Sequence, residues 1–178
     1  PRDELLLELG ADGEVLLARL RLAIASVLML LPAVNYLAGG GGRESLIGLA
    51  GVGLSVVLSQ VWLGIARHRR RYPWLPYVST GFDVTVVSLV LLMLAFFDIA
   101  AGLNSVVVWC CYPLVIIATA LRNDVRVTLF AGTLAVFEFL LISFLFQAIA
   151  SGPIRSLDYG TVSASNQLQR AVLLVATT

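Results

Sequence analysis

Val127 to Ile149 reads VTLFAGTLAVFEFLLISFLFQAI, an apolar run whose one ionisable side chain, Glu138, sits at its middle. At about 1.5 Å of rise per residue, a helix of this length crosses a hydrocarbon layer roughly 30 Å thick. A helix apolar around its whole circumference belongs in a bilayer or in the core of a much larger protein. Outward from this stretch the pattern repeats. Apolar runs cover Leu20 to Ala38, Leu46 to Ala66, Val78 to Phe97 and Leu103 to Leu121, and a further one opens near Asn166 and reaches Thr178. Of the 178 residues 59% are apolar and 13% charged, with a mean hydropathy of +0.93. That is too little polar material to cover a water-soluble domain, which excludes soluble globular, disordered and nucleic-acid-binding classes. The sequence therefore predicts an all-α polytopic membrane protein. A bundle of six transmembrane helices spans residues 20–178, and a short amphipathic segment, residues 1–19, precedes it. The sixth run is too short to cross a bilayer, so the natural protein is expected to continue past Thr178.

Orientation follows from the arginines, since the chain has no lysine. Arg19 and Arg21 precede the first run, Arg67 to Arg71 follow the second, and Arg122 and Arg126 join the fourth to the fifth. The intervening loops hold fewer, and the positive-inside rule places the arginine-rich loops and both termini in the cytoplasm of a bacterial inner membrane. Leu5, Leu6, Leu9, Leu16 and Leu17 lie among acidic residues before the first run, a pattern suited to a helix on the membrane surface. Cys110 and Cys111 are neighbours in an apolar run, where helical geometry points them about 100° apart and rules against a disulfide between them.

Helices in lipid associate through close packing and polar contacts, because lipid is as apolar as leucine. Gly51, Ser55 and Ser59 give the second run a small-residue face, and Thr128, Ala131 and Ala135 give the fifth another. Glu138 continues that second face near mid-membrane. A carboxyl group there costs several kcal/mol unless it is neutral, paired or hydrogen-bonded, so it is expected to point inward. It either lines a ligand pocket or bonds a helix carbonyl or hydroxyl. Asp83 is expected to form a structural ion pair with the Arg67–Arg71 loop, which includes Arg70 and Arg71, or with Arg122 and Arg126. Trp109, Tyr112 and Pro113 make an aromatic patch beside a proline in the fourth run. Gln167 and Arg170, at i and i+3, open the sixth run on one face and suit an anionic head group, with snorkelling to the interface as the alternative. The candidate ligand-binding residues are thus Glu138, Arg170, Gln167, Trp109 and Tyr112. The segment Ala150 to Ser165 is long enough to form a lid. No phosphate-binding loop, metalloprotease motif or nucleophile elbow is present, and no residue of this chain is assigned a catalytic role, a cofactor or a metal.

The order of features resembles the six-helix membrane domains found at the N-termini of bacterial nucleotide cyclases. These are chiefly diguanylate cyclases with a GGDEF domain, and class III adenylate cyclases share similar domains. The resemblance rests on Arg70-Arg71-Tyr72-Pro73 with Pro76-Tyr77, Phe82-Asp83-Val84-Thr85, Leu121-Arg122-Asn123-Asp124-Val125-Arg126, Ala131-Gly132 through Glu138, and Asn166-Gln167-Leu168-Gln169-Arg170. It covers most of the chain from Arg67 onward. The resemblance implies a homodimer whose membrane bundle senses a lipid-like or fatty-acid ligand. It also implies a missing cytoplasmic domain that uses GTP and Mg2+ to make cyclic di-GMP. The membrane part of a histidine kinase, or a small transporter or channel subunit, fits the same topology. Only Glu138, Gln60 and Asn35 offer the polar groups that a transport path would use.

Overall fold

The computed structural model describes residue 16 and residues 18–39, 42–67, 74–122, 124–150, 155–156 and 160–178. The expected amphipathic segment before the first run, and Arg70 and Arg71, lie outside these residues. The described chain forms α1 (Ala18–Leu37), α2 (Gly42–Arg67), α3 (Leu75–Phe97), α4 (Ile99–Asn104), α5 (Val106–Ala120), α6 (Val125–Ile149) and α7 (Ala164–Ala176). Between α6 and α7, β1 (Arg155–Ser156) and β2 (Gly160–Thr161) pair antiparallel, with Arg155 opposite Thr161. The fold is all-helical apart from this minimal ladder. Four helices, α1, α2, α3 and α6, are long and apolar enough to cross a membrane.

Local chemistry explains the boundaries. α1 ends where Gly39 takes a φ of 77°, a left-handed conformation that side chains resist. α3 opens with a proline in its first turn, where a missing N–H costs nothing. Asp98 then caps α4, its carboxylate accepting from the N–H groups of Ala100 at 2.8 Å and Ala101 at 3.2 Å. Ser105 caps α5, Asp124 caps α6 and Ser163 caps α7 in the same manner.

The fourth apolar run departs from its expected form. The sequence places one helix over Leu103 to Leu121, whereas the structure breaks the chain at Ser105, which is extended. Leu103 belongs to the six-residue α4, and α5 retains 15 residues. The capping side chain of Ser105 divides the run, and Asp98, just before it, starts α4 as a separate helix. α4 folds back on the end of α3 so closely that a Cβ at Gly102 would collide with the backbone of Ala95. Ala100, Ala101, Gly102 and Leu103 are all buried, and the β-ladder lies against them.

α3 is the hub. It packs against α2, α4, α5 and α6, while α1 packs on α2 and α7 on α6. The core gathers Val84, Leu91, Tyr112, Ile116, Phe139 and Leu174 from α3, α5, α6 and α7. Ala131 and Ala135 are fully buried within it, and Gly51 sits so close to α3 that a Cβ there would strike Val90. The two small-residue faces therefore do face neighbouring helices. On the outside, Leu37, Phe96, Phe137 and Val172 are among many large apolar side chains left exposed, which suits a hydrocarbon surrounding and would be a liability in water.

Candidate functional site

Arginines clamp both ends of the bundle. Arg122, in the turn between α5 and α6, donates to the Pro76 carbonyl and Thr80 Oγ1, each at 2.7 Å, and to Ser79 Oγ at 2.9 Å. It thereby ties that turn to the start of α3. Arg21 Nε meets Asp83 Oδ2 at 2.6 Å, joining α1 to α3, with both side chains nearly buried. The ion pair expected of Asp83 is present, but its partner is Arg21 and not Arg122 or Arg126. Arg122 is held one turn away by hydroxyls and a carbonyl, and Arg126 is exposed on α6.

At the opposite end, Arg170 Nη1 donates to the Leu103 carbonyl and Nη2 to that of Asn104, and Gln167 Nε2 donates to Asn104 Oδ1 at 3.2 Å. The last carbonyls of a helix lack intrahelical partners and carry partial negative charge, so a guanidinium suits them. Gln167 and Arg170 do share a face, as expected, but that face is spent on α4. Gln167 is buried, and its Oε1 has no partner among the described residues.

Glu138 lies near the middle of α6 and points inward to α3. Thr85 Oγ1 donates to its Oε1 at 3.0 Å, and Ser88 Oγ donates to its Oε2. Ser88 also shares a 2.8 Å hydrogen bond with the Tyr112 hydroxyl, whose ring stands edge-on to Phe139 at 6.1 Å. Glu138 bonds two hydroxyls and also lines a hollow, so both roles open to it in the sequence have a structural counterpart. The chain Tyr112–Ser88–Glu138–Thr85 joins α5, α3 and α6 across the mid-plane. Thr85, Ser88 and Glu138 also line a hollow of about 180 Å³ that opens outward between Leu89, Leu92, Leu141 and Ile142. Thr85 and Ser88 stand at i and i+3 of an apolar run, a pairing that could have been read from the sequence as the partner of a buried carboxyl. Trp109 packs half-buried against the core, and its indole N–H has no partner among the described residues.

The larger cavity is elsewhere. A groove of about 380 Å³ runs between α1, α2, α3 and α5. Arg21 and Asp83 close one end, and Asn35, Glu44, Ser45 and Ser105 line the other. Asn35 Nδ2 donates to Ser45 Oγ at 2.9 Å there. None of the five residues nominated as ligand-binding lines this groove. Cys111 does, while Cys110 faces outward, and both are free thiols. The groove had no signature in the sequence, because its valines, leucines and alanines are the same residue types that elsewhere face lipid.

No protein family, curated protein or solved structure matches the chain.

Proposed function

We propose that this chain is the membrane-embedded sensory and dimerisation module of a nucleotide-signalling protein. In this reading α5, extended by α4, makes a fourth crossing between α3 and α6, and α7 begins a sixth. The arginine clamps at Arg21 and Arg122 face the cytoplasm of a bacterial inner membrane, as do both termini. A cytoplasmic catalytic domain beyond Thr178, a diguanylate cyclase joining two GTP molecules with Mg2+, receives the signal from α7. Two such domains must meet to form cyclic di-GMP, so a change in dimer geometry is sufficient control.

The observation that carries this reading is the double anchorage of α7. Its first turns are fixed to α4 by Gln167 and Arg170, and its far end lies against Gly132 of α6, where a Cβ would collide with Thr178. A rearrangement at the α4 end is thereby passed along a rigid helix toward the Arg122 end. Leu168, Val172 and Val175 on its outer face remain exposed and are available to a second copy.

The test is a fusion of the chain to a cyclase catalytic domain that is inactive as a monomer. Cyclic di-GMP production and cross-linking between copies through α7 are expected, and Arg170→Ala should change the output while leaving the protein in the membrane. A fusion that stays monomeric and silent would remove the proposal.

A further inference from the structure

Two carboxyls, Asp83 and Glu138, lie well inside the spanning helices α3 and α6, and the bundle treats them differently. Asp83 is paired with Arg21, whereas no arginine among the described residues comes within ion-pair distance of Glu138. An unpaired carboxylate in hydrocarbon costs several kcal/mol, and a neutral carboxyl with hydrogen-bond partners costs far less. From α5, the titratable group turned toward Glu138 is Tyr112, reached through Ser88, while Cys111 is turned into the groove and Cys110 outward. On α3, Asp83 is turned to Arg21, and on α7, Arg170 is turned to the α4 carbonyls. On α6 itself, Arg126 and Asp124 lie about 18 Å or more back along the helix. Glu138 is left to its three hydroxyl neighbours.

Those hydroxyls fit either charge state. When Glu138 is ionised, it accepts from Thr85 at Oε1 and from Ser88 at Oε2, and Tyr112 donates to Ser88. Each of the three hydroxyl protons then has an acceptor. A proton added at Oε1 makes the carboxyl a donor to Thr85 Oγ1, and a helix threonine can turn its own proton to the carbonyl one turn back. The arm from Oε2 through Ser88 to Tyr112 needs no rearrangement. Ser88 and Tyr112 are buried and Thr85 is exposed, so the adjustable contact is the outward one. It is also where the hollow opens. Hard metal ions such as calcium and magnesium take about six oxygen ligands. The hollow offers fewer side-chain oxygens, from Glu138, Thr85 and Ser88 alone. We propose that Glu138 is a proton-binding site, loaded and unloaded at Oε1 from the hollow, with Thr85 exchanging its bond while Ser88 and Tyr112 hold the carboxyl in position. This rests on the bundle being embedded in lipid and is independent of which catalytic domain the bundle serves.

Dicyclohexylcarbodiimide is the probe, because it partitions into lipid and attacks a carboxyl in its protonated form. The carboxyl proton passes to one carbodiimide nitrogen as the carboxyl oxygen bonds the central carbon. The acyl group then migrates to nitrogen, leaving an N-acylurea that keeps every atom of both reactants. The full chain in lipid nanodiscs should be labelled at Glu138, mapped by mass spectrometry, at a rate that falls as the pH is raised and the site empties. Infrared difference spectra should show a carboxylic acid band lost over the same pH range and missing from Glu138→Gln. Replacing choline by sodium in the buffer should leave the labelling rate unchanged. Leu92→Trp and Leu141→Trp fill the hollow from α3 and α6, and each should abolish the labelling. Several results overturn the proposal. A Glu138 that is unlabelled at every pH is closed to the hollow or ionised throughout. A rate and an acid band indifferent to pH mark a carboxyl that stays neutral and serves structure alone. Protection by sodium marks a metal-ion site, and labelling that survives in both well-folded filling variants denies the hollow as the route.

Discussion

The two halves of the bundle are packed differently. Along α3 and α6, 39% of each apolar span is buried, against 17% for α2 and 6% for α1. The first half interlocks large side chains, with Tyr112 and Phe139 fully enclosed, and threads a polar chain through them. The second is held to the first by small-residue contact at Gly51, by the rings of Trp62 and Phe82 at 5.8 Å and by the Arg21–Asp83 ion pair, with a groove between. In lipid, where hydrophobic expulsion does not drive helices together, dense packing and satisfied polar groups are what remain to fix a structure. The difference teaches that the fold is secured around α3 and α6, while α1 and α2 form its loosely packed side.

The largest test of this contrast is Phe139→Ala. Its ring is fully enclosed between α5 and α3, so truncation leaves a cavity, and a loss of about 3–5 kcal/mol is expected in thermal or denaturant unfolding. A loss below 1 kcal/mol would show that the core around Phe139 collapses easily, and the contrast would fail.

Glu138→Leu comes next. It removes the acceptor shared by Thr85, which is exposed on the outer side of α3, and Ser88, which is buried and keeps only the Tyr112 hydroxyl. A loss of about 2 kcal/mol is expected, since an unsatisfied buried polar group costs its desolvation. The companion variant Thr85→Val, Ser88→Ala, Glu138→Leu removes donors and acceptor together and should recover most of that loss. If the triple variant is no better than the single one, the carboxyl is held by something other than these hydroxyls.

Legibility in the sequence followed the range of the interaction. The apolar runs announced α1, α2, α3 and α6 to within a few residues, because length and composition alone decide whether a helix can span. Glu138 was placed inward by the cost of any other orientation. Partners distant in sequence were not legible. Asp83 could be matched with any arginine near its end of the bundle, and only the packing of α1 on the hub selects Arg21. Arg170 and Gln167 looked like a ligand clamp because their partners are backbone carbonyls, which every residue has. Those carbonyls are exposed for capping only because Ser105 ends α4, and Ser105 was a capping signal overlooked inside an apolar run, as Asp98 was just before it.

The smallest effect belongs to the groove, and it bears most directly on the contrast. Leu28 lines the cavity from α1 and is half-buried. Truncating it to alanine enlarges a space that is already open, so few packing contacts are lost and no new enclosed void forms. The expected change in stability is within about 0.5 kcal/mol, the ordinary range for positions away from a packed core. Phe139→Ala and Leu28→Ala separate the halves by packing: around Phe139 a deleted side chain destabilises the fold, and at Leu28 it leaves stability nearly unchanged. A Leu28→Ala variant as destabilised as Phe139→Ala would mean that α1 closes on α5 in the membrane and that the space between them is part of the core.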